Sequence, residues 1–158
     1  MVLNHVPYDE ELAKSGACGI PRPLPLDNYA EKRILIVSVP GAFTPTCSEN
    51  HIPPYIAAAK QLREKVDAVI IISANDAFVL HAWAKSLGGY NSELIFASDP
   101  NGSVSGSMGL SVDLTARGMG IRTMRYAMIV NKGAIEYLGV EKQPGVTVSG
   151  VEAVKTKL

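Results

Sequence analysis

A chain of 158 residues, 47% of them hydrophobic and 19% charged, fits one globular domain spanning residues 1–158. Its fifteen basic residues cancel its fifteen acidic ones, which excludes the electrostatic footprint of a nucleic-acid or anionic-membrane binder. No run approaches the ~18 apolar residues of a membrane span, and the N-terminal segment lacks the basic and apolar regions of a secretory leader.

Residues 1–30 carry prolines at 7, 21, 23 and 25 and read as irregular chain. Within them, Gly16 and Gly19 flank Cys18 and predict a mobile, turn-rich setting for that thiol. Arg33 to Val39 is a short apolar run, as expected of a central parallel strand covered on both faces. It leads through Pro40 and Gly41 into a helix whose first turn carries Cys47. Ile52, Tyr55, Ile56, Ala59 and Leu62 then repeat at helical spacing, with Pro53 and Pro54 predicting a kink.

Ala68 to Ser73 reads as a second buried strand. Asp76 caps a helix that stops at Gly88-Gly89. Leu94 to Ala97 is a third strand, ended by the turn Asp99-Pro100-Asn101-Gly102. Ser103 to Leu110 reads as a short helix and 111–123 as a long loop. Tyr126 to Val130 and Ala134 to Leu138 form an antiparallel hairpin across Asn131-Lys132-Gly133. Ser149-Gly150-Val151-Glu152 is a capping-box pattern opening a last helix. This order describes a parallel core sheet with an antiparallel hairpin at one side.

Two cysteines are too few for a disulfide scaffold, and the default compartment without a leader is reducing and cytoplasmic, where a functional thiol is favoured. The tripeptide Thr156-Lys157-Leu158 is similar to a peroxisomal address of the S-K-L type with Thr for Ser, or is a plain helix end. A thiol at a helix N-terminus faces unsatisfied N–H groups and the positive end of the dipole, which favour thiolate. The polar neighbours Thr44, Thr46, Ser48, Glu49 and Asn50 favour a reactive thiol at Cys47 over the other reading, a buried small hydrophobe. Thr44 sits where a turn would aim its hydroxyl at the same point in space as the sulfur, or is a plain turn or cap residue, and Pro40 offers a wall without an N–H.

A thiolate also needs fixed positive charge. Arg117, Arg122 and Arg125 are the candidates, an arginine being able to polarise an oxygen substrate through its donor fork. His51, four residues after Cys47, raises Cys–His nucleophilic catalysis, against a plain packing or surface histidine. No C-x-x-C, metal-ligand spacing, P-loop or complete G-x-G-x-x-G is present.

Pro40-x-x-x-Thr44-x-x-Cys47, within Pro-Gly-Ala-Phe-Thr-Pro-Thr-Cys, resembles the active-site pattern of the peroxiredoxins. Pro-Gly-Ala-Phe-Thr-Pro is the phrase of their type II, or atypical two-cysteine, subfamily. His51 to Ile56, Asn75 to Val79, Ala82-Trp83, Phe96 to Pro100 and Arg125 to Ala127 extend the likeness over nearly the whole chain. It is closest to fungal members, including yeast alkyl hydroperoxide reductases and peroxisome-associated relatives.

The resemblance implies an α/β, thioredoxin-like fold with a central mixed sheet flanked by helices, and reduction of hydroperoxides without a metal or organic cofactor. It makes Cys47 the peroxidatic cysteine, Thr44 a hydrogen-bonding partner of the peroxide, Pro40 a shield and Arg125 the activating arginine. It also implies a homodimer. Some type II members resolve the oxidised sulfur with a late cysteine, which this sequence lacks. Cys18 instead matches the early second cysteine of certain fungal members. It is expected to form a disulfide with oxidised Cys47, reopened by thioredoxin or by glutaredoxin and glutathione. A peroxide sensor or chaperone-like redox module would share the same sulfur.

Overall fold

The computed structural model describes residues 1–158. In chain order its elements are β1 (Val2–His5), α1 (Glu10–Lys14), β2 (Arg22–Pro25), β3 (Arg33–Ser38), α2 (Ile52–Ala57), α3 (Ala59–Arg63), β4 (Ala68–Ser73), α4 (Ala77–Ser86), β5 (Leu94–Ser98), α5 (Ser103–Ser107), β6 (Ser111–Asp113), β7 (Ile121–Thr123), β8 (Tyr126–Asn131), β9 (Ala134–Val140) and α6 (Val151–Lys155). Seven strands form one mixed sheet in the order β2-β1-β5-β4-β3-β8-β9. The middle strands β5, β4 and β3 are parallel, and the pairs on either side are antiparallel.

The apolar runs of the central strands are continuous because both faces are covered. On β3, Leu35 and Val37 join the core beneath α2, α3, α4 and α6, whereas Ile34 and Ile36 join a second core on the opposite face. β4 and β8 alternate in the same way, with Val69, Ile71, Ala127 and Ile129 on the first side. The period of two along each strand therefore divides one apolar run between two cores. The hairpin turn between β8 and β9 uses Lys132 at φ 48° and Gly133 at φ 79°, the double positive φ of a tight two-residue connection.

Three expectations fail for identifiable reasons. Residues 1–30 are not irregular: β1 and β2 form a hairpin that extends the sheet beyond β5. Pro23 and Pro25 fit there because β2 is an edge strand, where a missing N–H breaks no inner ladder. Residues 111–123 are not simply a loop, since β6 pairs with β7 in a separate two-stranded ribbon. The capping box does not form either. Gly150 occupies the N-cap without a side-chain bond, because the Ser149 hydroxyl is taken by Glu141 at 2.8 Å.

The helix after Cys47 also departs from a single kinked rod. Thr46–His51 runs as a wide π-type turn, followed by α2 and, past a break at Ala58, by α3. Pro53 and Pro54 remove two N–H donors just where the ordinary i→i−4 ladder would start. The Ile52 N–H accordingly reaches the Cys47 carbonyl, five residues back.

Candidate active site

The site begins where β3 leaves the sheet. Three bonds tie its end to the segment preceding β8: Ser38 Oγ donates to Met124 O at 2.8 Å, Thr123 Oγ1 to Val39 O at 2.8 Å, and Arg122 Nη1 to Pro40 O at 3.2 Å. They bring Arg125 beside a loop more than seventy positions earlier. That loop turns through Phe43, at φ 59°, a left-handed conformation that costs a non-glycine residue roughly 1–2 kcal/mol. Asn75 offsets this by holding the turn: its Oδ1 accepts from Ala42 N at 2.9 Å, Ser73 Oγ at 2.8 Å and Arg122 Nη1 at 3.2 Å.

Gly41 is needed in this turn. A Cβ there would lie 3.1 Å from Thr44 Cγ2 and 3.2 Å from Arg122 Nη1. Thr44 and Arg122 therefore pack closely against this glycine. Thr44 Oγ1 donates to Gly41 O at 2.8 Å rather than to the sulfur. With its proton committed, the hydroxyl offers its lone pairs to an incoming O–H, and acts as acceptor rather than donor.

Cys47 follows in the first turn of the π segment, with no solvent exposure. Arg125 Nη2 donates to its Sγ at 3.4 Å. The other guanidinium nitrogen, Nη1, lies 3.1 Å from His51 Nδ1. His51 Nε2 lies 2.9 Å from Ser149 O, and a carbonyl only accepts. Nε2 therefore carries the proton, leaving Nδ1 as a lone pair for Arg125. Burial, reinforced by the Arg125 charge against the bond to Ser149, pushes His51 down to about 4, so the ring is neutral at neutral pH.

The support extends one layer outward. Ser149 O also accepts from Tyr55 Oη at 2.6 Å. Glu141 gathers Thr147 N, Thr147 Oγ1, Ser149 N and Ser149 Oγ within 2.6–2.8 Å. Burial alone would raise the Glu141 carboxyl, but these bonds outweigh it and hold the group down at about 2. On the other side, fully buried Trp83 donates to Ser48 Oγ at 3.1 Å, which fixes the π turn against α4.

A redoxin family model matches residues 6–155. A protein of Lipomyces kononenkoae named as a peroxisomal peroxiredoxin is 47% identical over 156 residues, covering 98% of this chain and 93% of its own. Peroxiredoxin-2C of rice, Oryza sativa subsp. japonica, is 40% identical over 126 residues, covering 79% and 77%. The chain is a peroxiredoxin. Among solved structures, reduced Prx3 of Vibrio vulnificus in complex with H2O2 superimposes with a TM-score of 0.83 at 36% identity, covering 98% of this chain and 91% of that one. The fold is accordingly thioredoxin-like, and the activity of this peroxiredoxin is that of a thiol-dependent peroxidase.

In this peroxiredoxin Arg125 meets Cys47, the Thr44 hydroxyl binds the Gly41 carbonyl three residues before Cys47, and Pro40 serves through its carbonyl as an anchor for Arg122. Arg117 is exposed and stands apart. Cys–His hydrolysis is excluded by the ring geometry, since both His51 nitrogens are engaged away from the sulfur. Cys18 is exposed and unbonded. Its arm is turn-rich but not the loose tether expected. Lys85 Nζ binds the carbonyls of Leu12 and Ser15, and a Cβ on Gly19 would overlap Val6 and Leu12. Gly19 thus serves a close approach. Sequence reasoning missed the role of Glu141, took Ser149 for a helix cap, left Asn75 without a role, and weighed His51 only as a rival nucleophile's base or a packing histidine.

Proposed function

We propose that Cys47 is the peroxidatic sulfur and that Arg125 activates both it and the hydroperoxide. The observation that supports this most is the 3.4 Å approach of the half-buried Arg125, through Nη2, to the Sγ of Cys47, which has no solvent exposure. The thiolate gives an electron pair to one peroxide oxygen as the O–O bond breaks. The other oxygen leaves with the bonding pair, takes a proton, and departs as water or alcohol, and Cys47 becomes a sulfenic acid. Thr44 accepts from the peroxide O–H, the guanidinium stabilises the charge on the leaving oxygen, and Pro40 shields the sulfur without offering a donor.

Resolution is assigned to Cys18. Its thiolate attacks the Cys47 sulfenic sulfur, a disulfide forms, and the hydroxyl leaves as water. Because Cys47 is buried and Cys18 exposed, the π turn must open first, and Pro53 and Pro54 weaken the ladder at that place. Thioredoxin, or glutaredoxin and glutathione, then reduces the bridge by thiol–disulfide exchange. The working unit is a homodimer, an assignment supported by the exposed rings of Phe43 and Phe78, on segments joined through the Ala42–Asn75 bond. The proposed compartments are the cytoplasm and, following the name of the Lipomyces relative, the peroxisome.

A non-reducing gel of the protein after one equivalent of peroxide tests resolution. The wild type should give a disulfide that Cys18→Ser lacks. A bridge that persists in that variant would remove Cys18 from the cycle.

A further inference from the structure

The face of the sheet opposite Cys47 holds a cavity of about 310 Å³. Ile36 of β3 and Met128 of β8 form its floor, and Tyr29, Val104 and Met108 close it from above. Among its sixteen lining residues only Asp27 and Gly133 are not hydrophobic. Close-packed interiors leave few voids larger than a water molecule, and this one opens to solvent on one side with an apolar lining suited to an apolar guest. Its volume lies at the small end of the roughly 300–1,000 Å³ range of ligand pockets.

The rim adds a polar preference. Lys32 Nζ stands 5.3 Å from the centre of the Tyr29 ring, so a cation sits directly at a lining residue. The Lys132 N–H bonds Lys32 O at 3.0 Å, which places a second lysine segment, and Gly133 of the lining, next to it. The one lining acid, Asp27, has a side chain 89% exposed and lies 3.9 Å from the Met1 ammonium, which offsets its charge. An apolar interior with the Lys32 ammonium beside one of its lining rings is complementary to an alkyl chain ending in an anion.

We propose that this cavity binds a medium-chain aliphatic carboxylate, with the alkyl chain between the sheet and α5 and the carboxylate at Lys32. The site shares none of its lining with Pro40, Thr44, Cys47 or Arg125, so it stands independently of the peroxidase chemistry.

Isothermal titration of the full-length reduced protein with decanoate, and with uncharged decanol, tests it. Ala30 lines the cavity yet is exposed, so Ala30→Trp fills the mouth without disturbing the floor. Retained peroxide turnover in that variant reports an intact fold. Decanoate should bind one-to-one and saturably, at least tenfold more weakly to Ala30→Trp. Lys32→Glu should weaken decanoate about tenfold and leave decanol within twofold. Absence of saturable binding, or binding indifferent to Ala30→Trp, would overturn the proposal. So would self-association lost in Ala30→Trp without any decanoate binding, which would make a second copy the occupant.

Discussion

The two cysteines of this chain occupy opposite kinds of surroundings. Cys18 is open to solvent on a short arm, with nothing charged bonded to its sulfur. Cys47 has no exposure at all, yet a guanidinium nitrogen lies against it, backed in turn by His51, Ser149 and Glu141. The contrast teaches that accessibility and reactivity are set separately. In the proposed mechanism an exposed thiol meets every oxidant but assists none, whereas the enclosed one has a guanidinium donor 3.4 Å from its sulfur.

The bluntest way to break the comparison is Cys47→Ser. Peroxide consumption should disappear in steady-state assays even though Cys18 remains, and retained turnover would show that the exposed thiol carries the chemistry. Arg125→Lys keeps a charge but loses the planar fork. Loss of one oriented donor typically costs about 10²–10³-fold, so the rate of peroxide attack measured by stopped flow should fall by at least about tenfold. An unchanged rate would remove Arg125 from the mechanism.

His51 sharpens the contrast through pH. Its folded value, about 4, lies below the unfolded value near 6.5, so the unfolded chain binds the extra proton as pH falls. Stability from this group is present above pH 6.5 and is lost as pH falls from 6.5 to about 4, by about 3 kcal/mol at most. Urea unfolding should show that slope, and His51→Gln should flatten it. Glu141, held at about 2, acts in the same direction lower down, losing its contribution as pH falls from about 4.5 to 2. A slope that survives in His51→Gln would assign it to other groups. The smallest effect belongs to Cys18→Ser, whose single-turnover rate of Cys47 oxidation should stay within about twofold of wild type.

The strands of the inner sheet were legible because β3, β4 and β8 are covered on both faces and leave uninterrupted apolar runs. The edges were not. β2 contains two prolines that read as disruption and are harmless at a sheet margin, and β6 and β7 are three residues each, too short for periodicity to register. At the site, Pro40, Thr44 and Cys47 lie within one stretch and could be read together. On residue chemistry alone Arg125 was one of three candidate arginines; the family resemblance singled it out, and the bonds from Arg122 and Thr123 show how that part of the chain meets the loop. Asn75 and Glu141 act by gathering backbone and side-chain donors from separate segments, and no spacing rule announces such a carboxamide or carboxylate.

The most direct measurement adds one equivalent of hydrogen peroxide to the reduced Cys18→Ser and Cys47→Ser proteins in competition and maps the oxidised sulfur by mass spectrometry. Environment, rather than exposure, should decide the outcome: oxidation at the enclosed Cys47, with the open Cys18 left as thiol. Oxidation of Cys18 ahead of Cys47 would contradict the account.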